Sequence, residues 1–334
     1  MREGRRGGWL YYDVHGVLRA RSNVPILNDF FRVVEIQGRP DLTVFIGDFK
    51  PRGLVGRDML RLVYRAKGVL RSEILIRGLA SGRAVVLISN PAFRLLGKVS
   101  RRVGKLIKAI YYLLMLKKGH VPMHSACVEK DGRGILLTAP PETGKTLTAI
   151  RLVLEHGFRL LGDDMVILGP NLRVLADPGA MTLHPIHIKA CGIRLGTRKK
   201  VEMAIRHALR RIPYVVMAVK EFKMKVDDVI GRDKIAKEAR ASQVFFLEEG
   251  RQQVRTLGPD EAYERLMAAG RMHYLVYENE VIQEYAYRNP ELGLEGLFSR
   301  LRSLFRELVE SLDCWLIRCR GKRFADLMAR EGLL

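Results

Sequence analysis

The segment that most limits the possible folds is an apolar strand pattern that leads directly into a Gly-Lys-Thr turn and then a helical pattern. Residues 134–138, Gly-Ile-Leu-Leu-Thr, form a short apolar run typical of a buried strand. Apolar residues then recur at helical spacing from Leu147 to Val153, and Gly157 follows as a C-cap. This order of strand, turn and helix N-terminus predicts that the backbone amides of the turn converge on a bound anion.

The turn itself carries the side chains that bind nucleotide phosphates. Lys145 is predicted to reach the β- and γ-phosphates, and Thr146 to bind Mg²⁺. The pattern GxxxxGK[ST] expects glycine first, and Ala139 in that place is the smallest possible deviation. The sequence therefore predicts an ATP and Mg²⁺ site, with nucleotide-binding residues Ala139, Pro140, Pro141, Glu142, Thr143, Gly144, Lys145, Thr146 and Leu147.

A second strand precedes the one that enters this turn. It runs over residues 124–129, and Lys130-Asp131-Gly132-Arg133 joins the two strands. An Asp-Gly turn between apolar runs predicts a β-hairpin and not a βαβ crossover. A generic ATPase or GTPase with a parallel sheet is therefore less favoured.

Three elements occur in a fixed order along residues 121–170. They are a histidine in Met123-His124-Ser125-Ala126, the phosphate turn, and the aspartate pair in Gly162-Asp163-Asp164-Met165. This order resembles the HPr kinase/phosphorylase family, whose nucleotide domain is similar to that of phosphoenolpyruvate carboxykinase. The resemblance implies that His124 lies near the phosphates. It also implies that Asp163 exchanges a proton with the hydroxyl being phosphorylated.

The aspartate pair has a chemical reason of its own. Phosphoryl transfer to an alcohol needs one carboxylate that organises a metal and another that accepts the hydroxyl proton. We assign Asp163 as the base, with His124 and Lys145 as further catalytic residues, and we place Asp164 with Thr146 in the Mg²⁺ shell. The opposite assignment of the two aspartates stays open.

The chain departs from the family pattern downstream. The bacterial protein kinases of the family carry a glutamate before an Arg-Gly-Leu-Gly signature, whereas residues 189–196 here read Lys-Ala-Cys-Gly-Ile-Arg-Leu-Gly without an acid. A second metal, a phosphorylase activity and HPr as the substrate therefore stay open. His184 and His187 are nearby at i, i+3, but no carboxylate or cysteine stands at ligand spacing, so we do not expect a metal there.

The remaining chain suggests a β-rich N-terminal part, a connector helix and a mixed C-terminal part. We predict domains over residues 1–91, 92–120 and 121–334, in the α+β or α/β class with a mixed sheet in the nucleotide domain. Residues 9–89 read as strands with a hairpin at Ser81-Gly82, and one helix is predicted over 56–67. A basic amphipathic helix is predicted over 91–118. Further predicted elements are helices 201–211, 259–269 and 294–312 and strands 243–246, 273–277 and 314–318.

Positive charge is concentrated in the first part of the chain. The formal net charge is +22, and residues 1–120 carry 24 Lys and Arg against 8 Asp and Glu. Such a surplus attracts polyanions, including RNA, DNA and anionic lipid surfaces. A charged surface with only 11 Asn and Gln is equally typical of a hyperthermophile protein. The aromatic residues of this part form no recognisable base-stacking motif.

These observations lead to hypotheses from two classes. The first is a kinase that transfers phosphate to an alcohol, such as a serine of a protein or peptide, a small hydroxyl metabolite, or a hydroxyl of a nucleic acid held by the basic half. The second is an ATP-binding regulatory or membrane-surface module that transfers nothing. No secretory signal pattern opens the chain, and the longest apolar stretch is far below the ~20 residues that span a bilayer, so we expect a cytoplasmic protein. A homo-oligomer is compatible with either hypothesis.

Overall fold

The structure is a computed structural model that describes residues 8–47, 49, 56–66, 70–89, 101–193, 195–210, 212, 221–270 and 272–334. Met1–Pro122 and Arg271–Ser303 form one compact unit, unit 1, and Met123–Gly270 and Leu304–Leu334 form a second, unit 2. The predicted start of a nucleotide domain at residue 121 lies next to the first of these boundaries. The three-part division given by the sequence stays a prediction.

Unit 1 contains a mixed sheet of seven strands. The strands are β1 (Leu10–Val14), β2 (Leu18–Ser22), β3 (Arg32–Val33), β4 (Leu42–Ile46), β5 (Met59–Ala66), β6 (Leu70–Arg77) and β7 (Ala84–Ser89). Their order is β3-β1-β2-β4-β7-β6-β5. The β2–β4 and β4–β7 pairs are parallel, and the other pairs are antiparallel. The predicted hairpin of β6 and β7 is confirmed.

Strand alternation explains which face of this sheet is buried. Tyr12, Val14, Leu18 and Ala20 lie on one face and are fully buried, whereas the intervening residues of β1 and β2 are half-exposed. This is the pattern of a strand with one face in the core.

The helices of unit 1 are α1 (Arg101–Lys117) and three that come late in the chain. The basic amphipathic character predicted for α1 is confirmed, since Arg101, Arg102, Lys105 and Lys108 are exposed and its apolar residues are buried. Residues 91–100 of that prediction lie outside the described residues. The late helices are α7 (Met272–Tyr277), α8 (Glu280–Arg288) and the first part of α9 (Leu294–Ser311), with short 3-10 turns at Asp29–Phe31 and Pro290–Leu292.

Two predicted elements of unit 1 are wrong. The helix predicted over 56–67 is strand β5, in which buried Leu60 alternates with exposed Arg61 and Arg61 forms an ion pair across the sheet with Glu73. That period of two was read as a helical pattern. The strand predicted over 273–277 is helix α7, because a short apolar run does not by its periodicity distinguish the two structures.

Unit 2 contains a nine-stranded mixed sheet and a small two-stranded one. The large sheet consists of β8 (Val121–Met123), β9 (Ala126–Lys130), β10 (Arg133–Thr138), β11 (Arg159–Gly162), β12 (Met165–Leu168), β13 (Arg173–Asp177), β16 (Glu238–Glu249), β17 (Gln253–Thr256) and β18 (Asp313–Cys319). Its main order is β11-β9-β10-β16-β13-β12-β8, and β18 pairs with β16 and β17. The predicted β9–β10 hairpin is confirmed, and β10 runs parallel to β16. Strands β14 (Met181–Thr182) and β15 (Lys223–Met224) form the small sheet.

Unit 2 also contains helices, several of which contribute residues to one core cluster. They are α2 (Lys145–Glu155), α3 (Pro185–Cys191), α4 (Thr197–Leu209), α5 (Val226–Ile230), α6 (Pro259–Ala269), the end of α9, and α10 (Phe324–Arg330), with 3-10 turns at Pro170–Leu172 and Arg232–Lys234. Helix α3 is an element that the sequence analysis did not predict. Ala149, Ile150 and Val153 of α2 are buried beside Phe324 and Met328 of α10. The turn that precedes α2 is therefore anchored by a helix from the far end of the chain.

The predicted fold class is confirmed, since both units mix helices with mixed sheets. Among the residues that the structure describes, none of the helices combines the length and the apolar character that crossing a membrane requires.

Candidate functional site

The predicted phosphate turn connects β10 to α2 in unit 2. Ala139 is buried at its start, Pro140, Pro141 and Glu142 are exposed, and helix α2 begins at Lys145 directly after Gly144. Among the described residues, no side chain caps this helix N-terminus, and a helix N-terminus without a cap offers its first backbone amides to an anion. Leu147 packs in the core, which leaves only its backbone for ligand contact.

Gly144 is needed for its conformation and for its lack of a side chain. Its φ of 121° lies outside the range that other residues adopt without strain. A Cβ at this position would lie 3.0 Å from Cβ of Lys322, a residue of the turn between β18 and α10. The glycine therefore lets a second basic residue approach the turn.

Lys145 lies at the centre of a short polar chain. Its side chain is buried, with only 8% of the residue exposed, and its Nζ lies 3.1 Å from Nε2 of His124. Nδ1 of His124 lies 3.2 Å from Oδ1 of Asp164. A neutral imidazole that carries its proton on Nδ1 satisfies both contacts, since it donates to Asp164 and accepts from the ammonium group. The structure therefore links these three predicted residues through His124.

Asp163 occupies the buried side of the same site. It is 6% exposed, its carboxylate is hydrogen-bonded to the side chain of Thr146, and its Oδ1 has no hydrogen-bond partner among the described residues. Burial raises its pKa to about 6, and repulsion from Asp164 adds to this, while the Thr146 hydrogen bond and the charges of Lys145 and Lys223 act against it. A buried carboxyl that titrates near neutrality suits proton transfer.

The two aspartates point in different directions because of the tight turn between β11 and β12. A Cβ on Gly162 would lie 2.0 Å from the backbone oxygen of Met165, so this turn closes only with glycine. Asp163 is then buried, and the side chain of Asp164 is 73% exposed. One carboxylate is shielded from water and the other is accessible, which is a difference that the sequence alone does not give.

Lys322 is a site residue that the sequence reasoning missed. Its Nζ donates a hydrogen bond of 2.5 Å to the backbone oxygen of Glu142, inside the phosphate turn. The two residues are 180 positions apart, and the basic run Arg320-Gly321-Lys322-Arg323 is a local feature that does not by itself indicate the contact. The turn thus has a second ammonium group beside it, in addition to Lys145.

A cluster of three histidines flanks the turn on another side. The ring of His184 lies 5.4 Å from that of His187 and 5.9 Å from that of His207, measured between centroids. Burial, His184 and Lys322 lower the pKa of His187 to about 4. Burial and His207 lower the pKa of His184, and Glu142 of the turn opposes this. The rings of His184 and His187 are therefore neutral near pH 7. Within the described ranges, no three His, Cys, Asp or Glu side chains come together as a metal site.

The comparisons with known proteins give little beyond this geometry. No protein-family model matches the sequence, and no curated protein matches it. Among solved structures, the HPr(Ser) kinase/phosphatase from Coxiella burnetii is matched with 12% sequence identity and a TM-score of 0.29, over 64% of this chain and 92% of that one. A likeness of that degree tells nothing about what this chain binds or catalyses.

Proposed function

We propose that this chain is an ATP- and Mg²⁺-dependent phosphotransferase with an alcohol as acceptor. The observation that supports this most is Asp163, a buried carboxyl with a raised pKa and an unpartnered oxygen, beside Thr146 at the start of α2. A buried carboxylate oxygen without a hydrogen-bond partner lowers the stability of the fold. Such an atom is expected in a site where a bound substrate or metal supplies the missing contact. Its neighbours Lys145 and Thr146 are the two side chains that phosphate turns use.

The nucleotide would be held by the turn and its helix. The backbone amides of residues 144–147 and the ammonium group of Lys145 bind the β- and γ-phosphates. Mg²⁺ fits the donors present, since it prefers hard oxygen ligands and is usually held by one or two carboxylates together with phosphate oxygens. Thr146 and Asp164 would hold it, and when bound it neutralises charge on the β- and γ-phosphates.

In the transfer step, Asp163 accepts the proton of the acceptor hydroxyl. The hydroxyl oxygen forms a bond to the γ-phosphorus, the bond from the γ-phosphorus to the bridging oxygen breaks, and ADP leaves with that electron pair. His124 contributes by holding Lys145 and Asp164 in register through its two ring nitrogens. Exclusion of water around Asp163 keeps its pKa high enough to take the proton near neutral pH.

The proposal defines the phosphate acceptor only by its chemical class, an alcohol. A serine of a protein or peptide and a small hydroxyl metabolite are the leading choices, and a nucleic-acid hydroxyl is the variant suggested by the charge of residues 1–120. A cytoplasmic location is also part of the proposal.

The test is transfer of label from γ-labelled ATP into a fractionated lysate, with protein, RNA, lipid and small-molecule products separated. We expect Asp163→Asn to bind nucleotide and to transfer no phosphate. Asp131→Asn is the matched control, because Asp131 lies in the exposed β9–β10 turn at the opposite end of the hairpin. If the wild-type protein binds ATP but labels none of the four pools, it is a nucleotide-binding module and the proposed transfer is wrong.

A further inference from the structure

The half-exposed face of the unit 1 sheet carries aromatic rings and arginines. Tyr11 pairs with Arg21 across β1 and β2, and Arg21 pairs with Thr43 across β2 and β4. Directly paired residues project to the same side of a sheet, as do residues two apart in a strand. Arg19 and Phe45 therefore share this side with Tyr11 and Arg21.

The core of unit 1 takes up only part of this face, where Thr43 and Leu75 are buried. The opposite side, with Tyr12, Val14 and Ala20, is fully buried and supplies the apolar contacts. Tyr11, Arg19, Arg21 and Phe45 are instead each partly accessible to solvent. Large rings and guanidinium groups kept at the surface of a sheet indicate a binding surface and not a packing requirement.

Two of these groups, Arg21 and Phe45, lie beside the ring of Trp9. The guanidinium carbon of Arg21 lies 4.8 Å from the centroid of the Trp9 ring, and the Trp9 and Phe45 rings are 6.3 Å apart. Nε of Arg21 donates a hydrogen bond of 3.3 Å to Oγ1 of Thr43, which fixes the guanidinium plane. We call Trp9, Arg21 and Phe45 the stacking platform. Aromatic rings and guanidinium planes are the groups on which unpaired nucleic-acid bases stack.

The charge around the platform suits a polyanion. Arg77 is exposed and lies on the same face, since it pairs with Val85 and Val85 pairs with Thr43. Residues 1–120 as a whole carry 24 cationic side chains against 8 anionic ones. Such a field attracts phosphate backbones at long range.

We propose that this sheet face binds single-stranded nucleic acid. Bases stack on Trp9, Arg21 and Phe45, and phosphates contact Arg19 and Arg77. A duplex is disfavoured, because its bases are stacked on one another and offer no open ring to the platform. The aromatics that formed no motif in the sequence are brought together by the strand register. This binding surface does not depend on the proposed phosphotransfer.

The experiment measures fluorescence anisotropy of a labelled single-stranded RNA of mixed sequence with the full chain, over a range of salt concentrations. Trp9→Ala is expected to weaken binding about five- to hundredfold, the usual cost of losing one base stack, and Trp9→Phe to retain most of it. Arg77→Ala is expected to lower the slope of log K against log salt by about 0.7. Thermal unfolding of each variant shows whether the fold is kept.

The decisive comparison is Arg21→Ala with Arg39→Ala. Arg39 is exposed in the same unit but lies in the loop between β3 and β4, so both changes remove one positive charge near the surface. A larger loss of RNA affinity with Arg21→Ala than with Arg39→Ala supports base stacking on the platform. Equal loss with both variants, equally tight binding of a duplex, or no binding by the wild-type chain would each overturn the proposal.

Discussion

The ionisation of Asp163 determines the pH range in which the proposed transfer takes place. Burial raises its pKa from 3.8 to about 6, a shift that corresponds to about 3 kcal/mol of preference for the protonated form. A base is inactive while it carries a proton. With a pKa near 6, kcat/KM is expected to fall about tenfold between pH 7 and pH 5. An ordinary aspartate would lose less than about a tenth of its activity over that range.

The assay is labelled-phosphate transfer at subsaturating ATP and constant Mg²⁺ from about pH 5 to about pH 8, since kcat/KM reports the ionisation of the free enzyme. Asp131→Asn is expected to follow the wild-type profile, and Asp163→Asn to show no transfer at any pH while still binding nucleotide. A wild-type rate that stays level from pH 7 to pH 5 would refute the role of burial. Retention of transfer by Asp163→Asn would refute the assignment of the base.

Three further predictions follow from contacts in unit 2. Gly162→Ala is expected to destabilise the fold by about 1–3 kcal/mol, because its Cβ meets the Met165 oxygen and the turn must open, and urea unfolding measures the loss. Lys322→Ala removes the hydrogen bond to the Glu142 oxygen and is expected to weaken ATP binding about two- to tenfold in calorimetry. The pKa of His187 is lowered from its ordinary value of 6.5 to about 4 in the folded protein. As the pH falls from 6.5 toward 4, the unfolded chain binds a proton at this residue that the folded protein does not bind, so the free energy of unfolding decreases. His187→Gln is therefore expected to remove an acid-induced loss of about 3 kcal/mol, measured by unfolding at each pH.

Each of these has a control or a contrary result. Lys237→Ala, an exposed lysine on the same unit, is expected to leave ATP binding unchanged, and equal weakening by both lysine variants would show a general charge effect. Unchanged stability of Gly162→Ala would mean that the turn adapts to a side chain. Parallel stability curves for His187→Gln and wild type would show that His187 does not titrate on unfolding.

Local signals were enough to predict the β9–β10 hairpin and the turn into α2. The Asp131-Gly132 pair sets the hairpin, and the strand, glycine and helix around Lys145 are contiguous in sequence. The same reasoning failed for Met59–Ala66 and Met272–Tyr277, where short apolar runs fit either period and the neighbouring elements decide.

Long-range relations were not accessible in the same way. Lys322 reaches the turn because β18 lies next to β16, and no local pattern gives that strand order. The different burial of Asp163 and Asp164 also depends on how β11 and β12 close at Gly162. Likewise, the side that Trp9, Arg21 and Phe45 share follows from strand pairing, which the sequence does not reveal.

The position of β10 in its sheet affects when the nucleotide site is completed during synthesis. One neighbour, β9, is made just before it, but the other, β16, is made about a hundred residues later, and Lys322 later still. A nascent chain that ends before β16 has the Gly-Lys-Thr sequence with only one of the two neighbours of β10, and a chain that ends before Lys322 lacks the hydrogen bond to the Glu142 oxygen. Nucleotide affinity should therefore be gained only after the turn that carries Lys322 has been made, and nascent chains that end before it should not compete for ATP.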